Sequence, residues 1–319
     1  MKQNILITSA GKRVALVRAF QTELKSLTRF GRVYTTDMHP EMAPACVVSD
    51  KSFAVPRVTA PDYLDVLFRI CIENDIRLIV PTIDTELIIL ARNRQRFLEA
   101  GIIIAISDEA FVILCRDKRN TSDFFDRVGI RVPRMIDKLH PTFPLFAKPY
   151  DGSLSSNLHV VHCAEELTPQ ILNDPKLIFM ELIDKAKYHE FTVDMYFGRD
   201  HELKSVVPRE RIEIRAGEIN KGYTRKNEII GFLRSRMGRI DGVIGCICLQ
   251  LFYQPETHDI VGIEINPRFG GGYPLSYAAG ANFPAYLIRE YLLGEEIEYS
   301  DSWQDNLLML RYDDAVFIG

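Results

Sequence analysis

Residues 262–272, GIEINPRFGGG, set a carboxylate and an amide two positions apart. Side chains at i and i+2 of a strand share a face, so Glu264 and Asn266 point one way and Ile263 and Ile265 the other. Just upstream, CICLQLFY and DIVGIEIN flank the turn-rich QPETH, which predicts a β-hairpin. Alternation places Gln250 on a face with Cys248 and Phe252, and the hairpin can bring Gln250, Glu264 and Asn266 together. One carboxylate and two amide oxygens are hard ligands, too few and too weakly charged to cage a divalent cation alone. Mg²⁺ commonly takes carboxylates together with substrate phosphates, so this set suits a magnesium-bound nucleotide. Arg268 follows as a partner for a phosphoryl oxygen. Gly270, Gly271 and Gly272 let the backbone approach a ligand closely.

A second cationic element lies earlier. Lys148 ends a short apolar strand that Pro149 stops, and YDGSLSSN follows as a loop of small and hydroxyl residues. Backbone N–H groups in such a loop can close over phosphates, although a hairpin tip without a ligand has the same composition. Near the amino terminus SAGKRV lacks the glycines of a P-loop or a dinucleotide fingerprint. Ser9, Gly11, Lys12, Arg13, Asp37 and residues 84–86 nevertheless fall at strand ends, where ligands of open α/β sheets gather. For Asp37 and Glu86 a cap or a solvated charge is the plainer reading.

Bulk properties narrow the class. A chain of 319 residues with 47% apolar composition has room for two or more domains. Net charge is −4 and the basic residues are scattered, which disfavours nucleic acid as a partner. Apolar runs such as IRLIVPTI and GIIIAIS are far shorter than the roughly 20 residues of a membrane span, and MKQNILITSAGKR does not read as a signal peptide. A cytoplasmic, soluble protein without membrane contact is expected. The six cysteines form no C-x-x-C pair and read as buried thiols, and His159, His162 and Cys163 sit in an alternating run that does not favour a metal.

The first third alternates strand and helix, which implies crossover connections and a parallel sheet covered on both faces. Helix–loop–strand segments follow, and the hairpin comes last. The expected class is α/β, with a parallel-sheet front domain over residues 1–109 and an α+β remainder.

The order Asp117-Lys118, then Lys148 with its small-residue loop, then MELI followed by Glu190, then Gln250 and E-I-N-P-R, resembles the ATP-grasp superfamily. The likeness is strongest to one synthetase unit of the carbamoyl phosphate synthetase large subunit. A SKATG-like segment of that family is matched here by SYAAGANFP, residues 276–284. The resemblance spans nearly the whole chain. It implies a pre-ATP-grasp front domain over residues 1–109, a lid subdomain with a linker helix over 110–184, and a carboxy-terminal subdomain with the metal site over 185–319.

Site roles follow from the resemblance. Lys118 and Lys148 would reach the ATP phosphates, beneath a loop containing Gly152, Ser153, Ser155 and Ser156. Glu181, Leu182 and Ile183 would form the hinge that reads adenine, and Glu190 would bind ribose hydroxyls. Gln250, Glu264 and Asn266 would hold two Mg²⁺ ions, with Mn²⁺ as a substitute, and Arg268 would lie beside the transferred phosphoryl group. Arg209 and Arg211 add a clamp for the carboxylate or acyl phosphate, its fork geometry suited to that role, with Lys221 and Tyr223 bordering the pocket; a solvated strand is the plainer alternative for ERIEIRAGE.

The implied chemistry is ATP-dependent ligation: a carboxylate is activated as an acyl phosphate and then attacked by an amine or similar nucleophile. A small-molecule kinase of the same fold and a noncatalytic nucleotide-binding module are the alternatives. The chain has room for a single unit and no internal duplication, so a free-standing carboxylate-amine ligase is expected rather than carbamoyl phosphate synthesis. The resemblance also implies a homodimer.

Overall fold

The computed structural model describes residues 3–152, 157–215 and 217–318. The front sheet contains β1 (Asn4–Thr8), β2 (Val33–Asp37), β3 (Lys51–Ala54), β4 (Ile76–Pro81) and β5 (Ile103–Ile104). Its order is β3-β2-β1-β4-β5, with every pairing parallel. All five residues of β1, NILIT, are buried, as a central strand covered on both faces requires. The helix Val14–Leu27 buries Leu16, Val17, Phe20 and Leu24 along one stripe. Because β2 and β4 lie on opposite sides of β1, the strand order reverses there and leaves a crevice beyond the carboxyl ends of β1 and β4. The edge strand β3 and the short helix Pro44–Val48 are absent from the sequence reading. Each is five residues or fewer, too short for a periodic signal.

Helices Glu109–Arg116 and Lys118–Arg127 come next, broken at Asp117, whose carboxylate accepts a hydrogen bond from the Arg119 backbone N–H at 2.9 Å. That cap puts Lys118 at the first position of the second helix. Phe111, Phe124 and Phe125 pack with Phe191, Leu249 and Ile265, so these helices share a core with the large sheet described below.

The chain then forms a four-stranded antiparallel sheet of order β6-β9-β7-β8, comprising β6 (Met135–Ile136), β7 (Leu145–Pro149), β8 (His159–Val161) and β9 (Leu177–Glu181). A six-stranded antiparallel sheet follows: β10 (His189–Phe197), β11 (Leu203–Arg215), β12 (Glu218–Thr224), β13 (Gly245–Gln254), β14 (Asp259–Asn266) and β15 (Leu308–Leu310). Its order is β14-β13-β10-β11-β12-β15. The sheets therefore bear out a parallel α/β front followed by an antiparallel α+β part.

One core ties the ends of the chain together. Phe269, Tyr273 and Phe283 pack with Phe20 and Leu24 of the front domain. The Phe20 and Phe269 rings meet edge-on at 5.9 Å. Among the described residues no helix is long and apolar enough to cross a membrane.

Glu86, on the helix Asp84–Arg92, is neither a cap nor a solvated charge: it is 0% exposed. Ser9 Oγ donates to its Oε2 at 3.0 Å and the Tyr63 hydroxyl donates to Oε1. Burial raises its carboxyl pKa, against the opposing effect of these hydrogen bonds. The folded state thus retains a proton that the unfolded chain loses near pH 4–5, roughly. The associated stability is full below the unfolded value and is lost as pH rises through the folded one. Glu86→Gln keeps the shape and removes the titration. Its melting temperature relative to the native chain should therefore climb as pH is raised from about 5 to about 8; a difference that stays constant across those melts would contradict this.

Candidate active site

Strand register builds the site. Gln250 of β13 lies opposite Glu264 of β14, and Cys248 lies opposite Asn266. On the other side of β13, Gln250 pairs with Thr192 and Cys248 with Asp194 of β10, and Thr192 in turn pairs with Arg209 of β11. One face of the sheet is thereby polar across four strands. The opposite face carries Leu249, Leu251, Phe191, Val193 and Ile265 into the core. The alternation expected for Glu264, Asn266 and Gln250 holds.

This face floors a cavity of about 650 Å³. Glu181, Leu182, Ile183 and Lys185 line one end, Lys118, Lys148 and Gly152 one wall, and Arg13, residues 82–85, Arg268, Gly270, Gly271 and Gly272 the other end. Lys148, at the end of β7, is 6% exposed. Burial lowers its ammonium pKa to about 8, with the nearby Glu264 carboxylate opposing and Lys118 reinforcing the shift. Lys118 Nζ donates to the Gly152 carbonyl oxygen at 2.7 Å and lies 3.6 Å from Glu264 Oε2. Asn266 Nδ2 donates to Glu264 Oε1 at 3.1 Å, leaving Asn266 Oδ1 to accept from Arg268 Nη2 at 3.3 Å.

Each of the three arginines expected at the transferred phosphoryl group or the carboxylate clamp, Arg268, Arg209 and Arg211, already has a carboxylate. Arg268 Nη2 pairs with Asp84 Oδ2 of the front domain at 2.7 Å. Arg209 is bound through two nitrogens to Asp194, Nε to Oδ2 at 2.7 Å and Nη2 to Oδ1 at 3.0 Å, and Ser276 Oγ donates to the same Oδ2 at 2.6 Å. Arg211 Nη1 pairs with Glu190 Oε1 at 2.5 Å and reaches Gln250 Oε1 at 3.5 Å. Glu190, expected at ribose hydroxyls, is therefore engaged with Arg211, with Lys185 at 3.7 Å. Glu181, expected at the adenine edge, turns its carboxylate to Arg131 at 2.7 Å and to the Arg134 backbone N–H at 3.1 Å.

Other expectations shift. The glycines also make room for protein side chains: a Cβ on Gly270 would sit 2.7 Å from Cys248 Sγ, and one on Gly272 would collide with Arg209. Burial, then the Asp194 charge, pushes the Cys248 thiol up to about 12, so it packs as a neutral group. Lys221 pairs with Glu213 at 2.5 Å and, like Tyr223, does not line the cavity. Ser153, Ser155 and Ser156 lie outside the described residues. Asp194 went unread; its signal was a single acid inside the apolar strand FTVDMYF.

Two family descriptions match the chain. "PylC-like, N-terminal domain" covers residues 5–105, and "ATP-grasp in the biosynthetic pathway with Ter operon" covers residues 173–314. Biotin carboxylase from Campylobacter jejuni superposes with a TM-score of 0.73 at 13% identity, over 96% of this chain and 74% of that one. N5-carboxyaminoimidazole synthetase from Staphylococcus aureus, in complex with ADP, gives 0.71 at 14%, over 94% and 80%. The chain has the ATP-grasp fold. The biotin carboxylase domain of Hydrogenobacter thermophilus 2-oxoglutarate carboxylase, solved with MgADP and bicarbonate, shares this ATP-grasp architecture at 0.71 and 14%, over 95% and 73%. No curated protein matches the sequence.

The donor set on this face fits the expected metal role. Gln250, Glu264 and Asn266 share one face and one cavity, with a single carboxylate among them. Among the described residues no three His, Cys, Asp or Glu side chains cluster to hold an ion. A set this weakly charged suits an ion that also binds phosphates.

Two outcomes follow. Asp194 and Arg209 are 0% and 1% exposed, and removing one partner of such a pair strands a charge at a cost of about 3–5 kcal/mol. Arg209→Met should lose stability on that scale in denaturant melts, and a loss below about 1 kcal/mol would show that the pair is not what holds this face. Lys148 in the nucleotide-free protein should titrate near pH 8, read by NMR after reductive ¹³C-methylation. Glu264→Gln should lower that value further, because the carboxylate raises it; an ordinary lysine value in both proteins would contradict the burial.

Proposed function

We propose that this chain is an ATP-dependent ligase that activates a substrate carboxylate as an acyl phosphate for attack by an amine. The observation that carries the reading is the convergence of Lys118, Lys148, Glu264, Gln250, Asn266 and Arg268 on one cavity that continues to the front domain. Phosphoryl transfer asks a protein for position and charge neutralisation more than for covalent participation. No nucleophilic side chain is required.

In this reading the apolar end beside Leu182 and Ile183 takes adenine, through backbone groups and apolar contact, since the Glu181 carboxylate is already engaged. Glu190 and Arg211 border the nucleotide as a preformed pair. Lys148 and Lys118 neutralise phosphate oxygens, and a low-dielectric surround strengthens a lysine held as deeply as Lys148. Gln250, Glu264 and Asn266 would hold the magnesium ions. Those ions, when bound, supply further positive charge to the triphosphate oxygens. A carboxylate oxygen of the acid bonds to the γ-phosphorus as the bond to the ADP oxygen breaks. The amine nitrogen then bonds to the acyl carbon, inorganic phosphate departs and the nitrogen loses a proton. Arg268, fixed by Asp84, stands where charge accumulates in both steps.

ADP release with Mg-ATP and a panel of acids and amines tests the reading: ADP and phosphate should appear with a true pair of substrates and be accompanied by an amide. A stable phosphorylated product without an amide would place the chain among kinases instead. Glu264→Gln removes the only carboxylate of the donor set and should lower ADP release by more than about 100-fold, beyond what outer-shell changes cause, with the melting curve retained. Unchanged release would refute the metal assignment.

A further inference from the structure

We propose that Arg13 holds a carboxylate of the acid substrate at the front-domain end of the cavity and so selects which acids enter. This rests on the ligase reading above and adds a residue to it. Arg13 lines the cavity together with Thr82, Asp84, Arg268 and Gly271. Its pairing sets it apart. Arg268 is taken by Asp84, Arg209 by Asp194, Arg211 by Glu190, and the neighbouring Arg311 by Glu218 at 2.7 Å. Among the described residues Arg13 pairs with no carboxylate, and its guanidinium makes only a long contact, 3.5 Å, to the Thr82 carbonyl oxygen. Burial first, and then the like charge of Arg268, lower its pKa, with the Glu218 and Asp84 carboxylates opposing, so an anion placed between the two cations would offset their repulsion. Two more guanidinium nitrogens at this end, Arg268 Nε and Arg209 Nη1, are buried without hydrogen-bond partners.

The loop that presents Arg13 is pinned on several sides. Ser9 and Gly11 have φ of +51° and +49°, a left-handed geometry that the non-glycine Ser9 adopts only under constraint. Thr82 Oγ1 donates to the Thr8 and Ser9 carbonyl oxygens at 3.0 and 2.8 Å, Gly11 N–H donates to Asp37 Oδ2 at 3.1 Å, and Ser9 Oγ donates to the buried Glu86. An arginine on a loop held this way is preorganised. It stands beyond the carboxyl ends of β1 and β4, at the strand-order reversal where ligands of open parallel sheets bind. A planar fork with no partner matches a carboxylate through two parallel hydrogen bonds. Ile83 and Ile219 are the apolar neighbours at this end, which suits an aliphatic acid.

The test compares native protein, Arg13→Gln and Arg13→Lys. With an acid and amine that release ADP from the native enzyme, Arg13→Gln should raise KM for the acid by at least about tenfold while KM for ATP changes less than about twofold, and Arg13→Lys should recover part of the loss. An unchanged KM for the acid overturns the assignment and leaves the ligase reading standing. If no acid of the panel releases ADP, the ligase reading falls and the subsite is judged alone. With Mg-ADP present, saturating acetate should then slow phenylglyoxal modification of Arg13, followed by peptide mass spectrometry, by at least about tenfold, because a guanidinium held in a bidentate carboxylate pair is withheld from the reagent. Equal rates with and without acetate overturn the site.

Discussion

The pairing of Gln250 with Glu264 across β13 and β14 is the constraint on which the site depends. Side chains alternate strictly along a strand, so a slip of one residue would turn Glu264 and Asn266 into the apolar core and the Ile265 side chain out of it. Two independent forces oppose that slip. Leu249, Leu251 and Ile265 must stay buried against the helices Glu109–Arg116 and Lys118–Arg127. At the strand end Phe269 is locked between Phe20 and Tyr273, with ring centroids 5.9 and 4.8 Å away, so the chain leaves β14 at a fixed point. The same anchor joins the front domain to the polar face that carries Gln250, Glu264 and Asn266, and the Asp84–Arg268 pair repeats that join in charged form.

Charge in the cavity is largely settled before any ligand arrives. Three acids, Asp84, Asp194 and Glu190, each hold one arginine. Such pairs fix guanidinium groups in place, and fixed dipoles need little reorganisation when new charge appears. Their net contribution to fold stability is small or even unfavourable compared with apolar packing, which favours a positional role over a purely structural one. What remains is a small, uneven positive field: Lys148 and Lys118 set against Glu264 on one side, and on the other Arg13 opposed by Arg268 and partly offset by Glu218 and Asp84. A triphosphate and a carboxylate are the kinds of charge that complement it.

Much of this was legible in the sequence, for identifiable reasons. The hairpin announced itself through alternation on both sides of QPETH, and alternation alone put three oxygen donors on one face. The front sheet was legible because its strands are continuous apolar runs separated by amphipathic helices. Partnerships between strands were not, because register is a tertiary property: nothing local links Glu190 to Arg211, or Asp194 to Arg209, across β10 and β11. The arginines therefore read as free clamps and the acid as a free ribose ligand. The break at Asp117 was hidden inside a helical pattern that continues on both sides, so Lys118 gained meaning only from the resemblance. The bond between Asp84 and Arg268 spans 184 positions and joins two domains, beyond the reach of any periodicity.

Anomalous diffraction at the manganese edge, from crystals grown with Mn²⁺ and a nonhydrolysable ATP analogue, addresses the central claim most directly. The expected result is a manganese peak bound by oxygens of Glu264, with Gln250 and Asn266 completing the set beside the phosphates. Manganese held by the phosphates alone, with these three side chains turned away from it, would contradict the assignment of this face as the metal-nucleotide site.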